Sequence, residues 1–201
     1  QQLIINQVQQ KNYRQLKQVS QTNLKSRTRL EDHSQMSRFV SIWFKYLLTD
    51  RYIRKNPAMK QVPFVIASPQ RGRMVISAVT RSSAQMGIET GMAVADARAV
   101  FPSLNVVEDP GILPEKLLAA LGEWAIRFTP VVAVDLPDGL LLDASGCTHL
   151  WGGEKAYLKD IYKRMKDLGY QVRLAMAGTP GAAWAVARFG SDSPIILPGQ
   201  D

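Results

Sequence analysis

The sequence predicts an α+β fold: an open β-sheet covered by helices, with one small subdomain inserted in it. Three observations carry this expectation. Short apolar runs joined by Pro- and Gly-bearing turns read as β-hairpins, residues 131–134 with 140–142 around Asp135-Leu-Pro-Asp-Gly139, and 62–68 with 73–77 around Pro69-Gln-Arg-Gly72. Apolar residues then recur at helical spacing in two long stretches: Leu113, Leu117, Leu121, Trp124 and Phe128, and later Leu158, Ile161, Met165 and Leu168. Finally, the hairpin at 62–77 is followed by two short helices at 80–86 and 93–100 before a strand at 104–107, so about 61–103 form the insertion.

The remaining elements follow in chain order. Residues 1–34 form a Gln-rich basic extension with no Gly or Pro, a frayed helix or a disordered arm. Arg38-Phe-Val-Ser-Ile-Trp-Phe44 is rich in β-formers and reads as a strand, and 46–55 as a helix stopped by Asn56-Pro57. Thr80 is a plausible N-cap and Gly87 a closing glycine for the first short helix. Gly169 closes the helix at 154–168 and leaves its lysines, Lys155, Lys159, Lys163 and Lys166, outward. A strand at 171–176 and a helix at 181–189, N-capped by Thr179, end the pattern.

Composition narrows the function. The chain of 201 residues is 46% apolar, enough for one good core or two small domains. No apolar run approaches the ~20 residues of a membrane helix. One cysteine, Cys147, excludes an internal disulfide and a multi-cysteine metal site, and the two histidines stand far apart in the chain, which disfavours zinc. A reducing, cytoplasmic setting is expected. The net charge of +8 is uneven: residues 1–81 hold 15 Lys/Arg against 3 Asp/Glu, and residues 82–201 hold 10 against 14. A basic half points to a polyanion, most often nucleic acid. Lys60, Arg71 and Arg73 are the candidate DNA contacts, the two arginines flanking a glycine at a hairpin tip.

Two longer runs carry a family resemblance: Leu140-Leu-Leu-Asp-Ala-Ser-Gly-Cys-Thr-His-Leu-Trp-Gly-Gly-Glu154 and Gly178-Thr-Pro-Gly-Ala-Ala-Trp-Ala-Val-Ala-Arg188. With Gly87-Ile-Glu-Thr-Gly-Met92 and the element order, they resemble the palm and fingers of the Y-family (translesion) DNA polymerases over about 38–198, and most of all its catalytically inactive ImuB-type branch. The resemblance implies a palm at 35–60 and 104–201, fingers at 61–103, and a thumb and second DNA-binding domain beyond Asp201.

Active members open their first strand with Phe-Val-Asp, whose Asp binds two magnesium ions. Here Phe39-Val40 is followed by Ser41, which carries no charge. The family's Ser-x-Asp-Glu falls with its Asp on Asp138 and its Glu on Gly139, and Pro-Asp-Gly is also ordinary turn chemistry. The triphosphate-gripping Tyr and Arg fall on Arg81 and Ala84, the helical lysine on Trp184, and the aromatic under the sugar on Tyr46, which alternatively faces the core. Asp143, Cys147 and His149 read as a turn-capping carboxylate and two packing residues. Ser41, Tyr46, Arg81, Ala84, Asp138, Gly139 and Trp184 are thus the expected vestigial nucleotide pocket, with no catalytic residue, no metal ligand and no cofactor.

The leading expectation is a non-catalytic DNA-binding adaptor of translesion synthesis and damage-induced (SOS) mutagenesis. The resemblance implies as partners primer–template DNA, a sliding clamp, a catalytic translesion polymerase and a RecA-like accessory protein, with no membrane. One alternative is an active polymerase using magnesium on Asp138 with Asp135 or Asp143. Another is a protein-interaction module that binds no DNA.

Overall fold

A computed structural model describes residues 37–190 and Ile195; the Gln-rich extension lies outside the described residues. The described residues divide into two compact units, one built from those up to Trp43 with Pro114–Lys163 and those from Arg173 onward, the other from Phe44–Leu113 with Arg164–Val172. Among the described residues, no helix is long and apolar enough to cross a membrane.

The first unit is organised on a four-stranded sheet in the order β5-β6-β1-β7, with β1 Phe39–Trp43, β5 Val132–Asp135, β6 Gly139–Asp143 and β7 Arg173–Ala177. All pairings are antiparallel. Val40, Ser41 and Ile42 in β1 are completely buried. Since successive residues of a strand point to opposite faces, the sheet is covered on both sides here. A helix, α4 (Pro114–Ala125), packs on β5 and β6, and another, α6 (Pro180–Phe189), on β1 and β7. Gly122 of α4 faces this sheet: a Cβ there would sit in ordinary contact with Leu140 and Val132, at 3.7 Å from each. Thr179 caps α6 by accepting from Ala182 N at 3.2 Å.

One strand end is tied by charge. Arg38, nearly buried, donates to both oxygens of Glu154 at 2.7 and 2.9 Å, a fork-on-carboxylate pair. Its backbone N–H donates to Ser145 Oγ at 2.9 Å, and Asp143 accepts from Ser145 N at 3.0 Å, the turn-capping role expected of that carboxylate. His149 is exposed rather than packed.

The second unit has a three-stranded sheet, β3-β2-β4, from β2 Phe64–Gln70, β3 Arg73–Val79 and β4 Asn105–Glu108. The β2–β3 hairpin is longer than the sequence indicates, with a two-residue turn, Arg71-Gly72, in place of a four-residue loop. Pro69 is tolerated inside β2 because β4 pairs only with Phe64 to Ala67, which leaves that flank of β2 free beyond Ala67. The helices are α1 (Leu47–Lys55), α2 (Arg81–Gln85) and α3 (Val94–Val100). Val65, Ala67, Ile76, Ile88, Val94, Ala97 and Leu104 form the core. Thr80 caps α2 by accepting from Ser83 N at 3.2 Å, while Ser83 Oγ donates to Phe64 O at 3.0 Å and so ties the helix to the sheet.

The boundary between the units falls inside α5 (Glu154–Asp167), after Lys163. The expected stripe of this helix is buried at Leu158, Ile161 and Met165, with Tyr157 added to it. The expected stripe along α4 is kept at Leu121 and Phe128, both buried, with Leu117 and Trp124 half-buried. Leu113, just ahead of the helix, is exposed, and Leu118 and Ala125 are fully buried in addition.

Candidate functional site

The turn between β5 and β6 holds two carboxylates three residues apart, Asp135 at its start and Asp138 just before Gly139. Hairpin pairing of Asp135 with Gly139 closes the turn and turns both carboxylates to the same side chain. That side chain is Arg188, in the last turn of α6. Its Nη2 donates to Asp135 Oδ2 at 3.0 Å and to Asp138 Oδ1 at 2.9 Å. The second oxygen of Asp138 accepts from Trp43 Nε1 at 2.8 Å. Two indoles flank the guanidinium, Trp184 at 4.4 Å and Trp43 at 5.8 Å between its carbon and the ring centroids.

The cluster is largely dry. Arg188 is 9% exposed, Asp135 13% and Asp138 31%. Burial pushes the Asp135 carboxyl above the usual carboxylate range; the Arg188 charge pulls it back, the Asp138 charge pushes it further up, and hydrogen bonds from Trp184 and Arg188 hold it down. Arg188 Nη1 is buried and has no hydrogen-bond partner among the described residues.

Of the expected pocket residues in this unit, Asp138, Gly139 and Trp184 all meet at Arg188. Gly139 is required by space: a Cβ there would lie 2.9 Å from Asp135 Oδ2 and 3.1 Å from Arg188 Nη2. Ser41 is completely buried, its cross-strand neighbours are Leu141 and Ala175, and its hydroxyl has no partner among the described residues. Asp143 is taken up by the Ser145 turn. Among the described residues no group of three or more His, Cys, Asp or Glu side chains could hold a metal ion.

The other expected residues lie in the second unit. Tyr46 precedes α1, half-buried, with Lys45 Nζ 5.6 Å from its ring. Arg81 opens α2 and is exposed, with Ala84 one turn later. Lys60, Arg71 and Arg73 are exposed, Lys60 on the 3-10 turn Pro57–Gln61 and the arginines at the hairpin tip. Arg71 has φ 48 and Gly72 φ 77, the two positive angles of a type I′ turn. A non-glycine residue there is strained by about 1–2 kcal/mol.

Arg188 was not singled out from the sequence. The available signal was its place one turn after Trp184 on an otherwise apolar helix, an i, i+4 pair that stacks a guanidinium on an indole. No local pattern connects it with carboxylates about fifty positions earlier.

Comparison with known proteins agrees with this architecture. The family model described as the impB/mucB/samB family matches residues 42–188. Protein ImuB of Caulobacter vibrioides is 46% identical over 115 residues, which is 57% of this chain and 25% of that protein. DNA polymerase IV of a Marinomonas species is 26% identical over 128 residues, 62% of this chain and 36% of that protein. The chain thus spans about a quarter to a third of the length of these relatives. Among solved structures, an insertion ternary complex of Dbh DNA polymerase superposes with a TM-score of 0.68 at 17% identity, covering 81% of this chain and 49% of that one. DinB from Sulfolobus solfataricus gives 0.66 at 17% identity, covering 80% and 48%. A match across most of the chain, on a four-stranded palm sheet carrying the Asp138 turn, makes this protein a member of the impB/mucB/samB family, with the fold of the Y-family DNA polymerases.

Proposed function

We propose that this chain is the palm and fingers of a non-catalytic, ImuB-type protein of translesion synthesis, one that binds primer–template DNA and serves as an adaptor. The observation that carries the reading is the guanidinium of Arg188 at the point where the two palm carboxylates converge. Phosphoryl transfer with two metal ions needs several oxygen donors around each ion and cations on the triphosphate. The donor set here does not fit magnesium. Asp135 and Asp138 already share the one guanidinium of Arg188, Gly139 has no room for a carboxylate, and Ser41 sits among apolar neighbours. Ala84 and Trp184 supply no charge where the family pattern has a triphosphate clamp.

The DNA-binding surface in this reading is Lys60, Arg71 and Arg73, exposed and on one unit. A basic residue held in a strained turn conformation is the feature that supports a contact there. By family likeness the partners are a sliding clamp, a catalytic translesion polymerase and a RecA-like accessory protein.

A second reading has one observation in its favour: Asp135 and Asp138 do converge, as a metal site on that turn requires. Primer extension with magnesium or manganese separates the two. The adaptor reading expects salt-dependent binding of primer–template DNA and no nucleotide incorporation. Templated extension at any divalent-ion concentration would sink it, and absence of DNA binding would favour an interaction module instead.

A further inference from the structure

The convergence of two carboxylates on one guanidinium nitrogen has a chemical meaning of its own. Arginine ordinarily answers carboxylates with its fork, two nitrogens to two oxygens. Arg188 does not: Nη2 alone takes both Asp135 Oδ2 and Asp138 Oδ1, and Nη1 is buried with no acceptor among the described residues. The cluster therefore uses the arginine as a point charge. Asp138 is held for that charge from behind, since Trp43 Nε1 fixes its other oxygen at 2.8 Å. Trp184 and Trp43 flank the same spot and keep it mostly dry.

We propose that Arg188 is a resident cation, a guanidinium filling a two-carboxylate site that would take a divalent metal ion if the arginine were removed. The inference rests on the non-catalytic reading in that it names what stands where a catalytic ion would. Asp135 and Asp138 each supply one oxygen to the shared point, and water completes the shell that a hard cation demands. The wild-type chain needs no ion to hold the β5–β6 turn, because a compensating positive charge arrives on α6 of the same chain. The arrangement also bars metal from the site, since a dication would have to approach a buried positive charge at contact distance.

The test uses terbium as a hard-cation probe, whose emission is sensitised by nearby indoles; Trp43 and Trp184 flank the site. Wild type, Arg188→Ala, Arg188→Met and Arg188→Ala with Asp135→Asn are titrated, with circular dichroism to follow folding. Wild type is expected to give no saturable sensitised emission. Arg188→Ala and Arg188→Met are expected to bind terbium at least about tenfold more tightly, since a unit charge at contact distance has gone. Magnesium and manganese compete for the site, and adding Asp135→Asn abolishes the signal. A variant that folds only with the cation present also supports the proposal. Equal emission from wild type and Arg188→Ala overturns it, as does a folded Arg188→Met that binds no terbium, or failure of both variants to fold with or without millimolar magnesium. Nucleotide incorporation has no part in these readings, so a polymerase-active wild type would defeat the adaptor reading without deciding this one.

Discussion

Restoring the carboxylates of an active palm, Ser41→Asp together with Gly139→Glu, is expected to destabilise this protein without giving it chemistry. Ser41 is fully buried on the central strand, beside Leu141 and Ala175, and its hydroxyl already lacks a partner among the described residues. A fully buried carboxyl rises by up to 3–5 pKa units, which at neutral pH corresponds to about 3–4 kcal/mol lost, as ionisation or as forced protonation. At Gly139 the first added carbon meets Asp135 Oδ2 at 2.9 Å, Arg188 Nη2 at 3.1 Å and the Asp135 carbonyl at 3.2 Å. The carbonyl is backbone and the two side chains are bound to each other, so the Asp135–Arg188 bond must give way. A hydrogen bond to a charged group contributes about 1.5–3 kcal/mol. A third carboxylate also lands beside a cluster that already has two for one arginine. The sites are close enough to couple, so about 5 kcal/mol is the expected loss for the pair. In a chain of this size each kcal/mol moves the midpoint by about 2–4 °C, so the melting temperature should fall by about 10–20 °C. Calorimetry of the two single variants and the double, beside primer extension with magnesium, is the assay. A fall of less than about 3 °C would refute the packing argument, and any templated extension would refute the chemical one.

Two further outcomes are expected. Arg71→Ala with Arg73→Ala should weaken DNA binding alike for all sequences and make the slope of log K against log salt shallower by about 1–2 units, measured by fluorescence anisotropy; an unchanged slope would remove the hairpin tip from the interface. Asp50 in α1 accepts from Gln171 N at 2.7 Å and Gln171 Nε2 at 3.1 Å, yet burial outweighs these bonds and raises its pKa from 3.8 to about 6. Its folded state therefore holds the proton more tightly than the unfolded chain. The stability this gives is complete below about pH 4 and is lost as pH rises through 6, about 3 kcal/mol in all. Asp50→Asn should gain on wild type by that amount between pH 4 and pH 7 in thermal melts, and a pH-independent difference between the two would contradict the assignment.

The elements of this protein were legible in its sequence because each is written locally. Apolar spacing marked α5 and the two hairpins, and Thr80 and Thr179 marked helix starts that both prove to be capped. Pro and Gly set the ends. Ser41, Gly139, Ala84 and Trp184 were likewise visible one position at a time, as departures from a family pattern. Tertiary structure alone decided which side chains meet. Along α4 the structure added Leu118 and Ala125 to the buried face, where the helix packs on β5 and β6, a demand its own periodicity does not record. Arg188 reached Asp135 and Asp138 across about fifty residues, and Asp50 reached Gln171 across more than a hundred, because strand pairing and helix packing bring distant segments together. Only packing a helix on a folded sheet tells whether two turn carboxylates face water, a metal ion or an arginine.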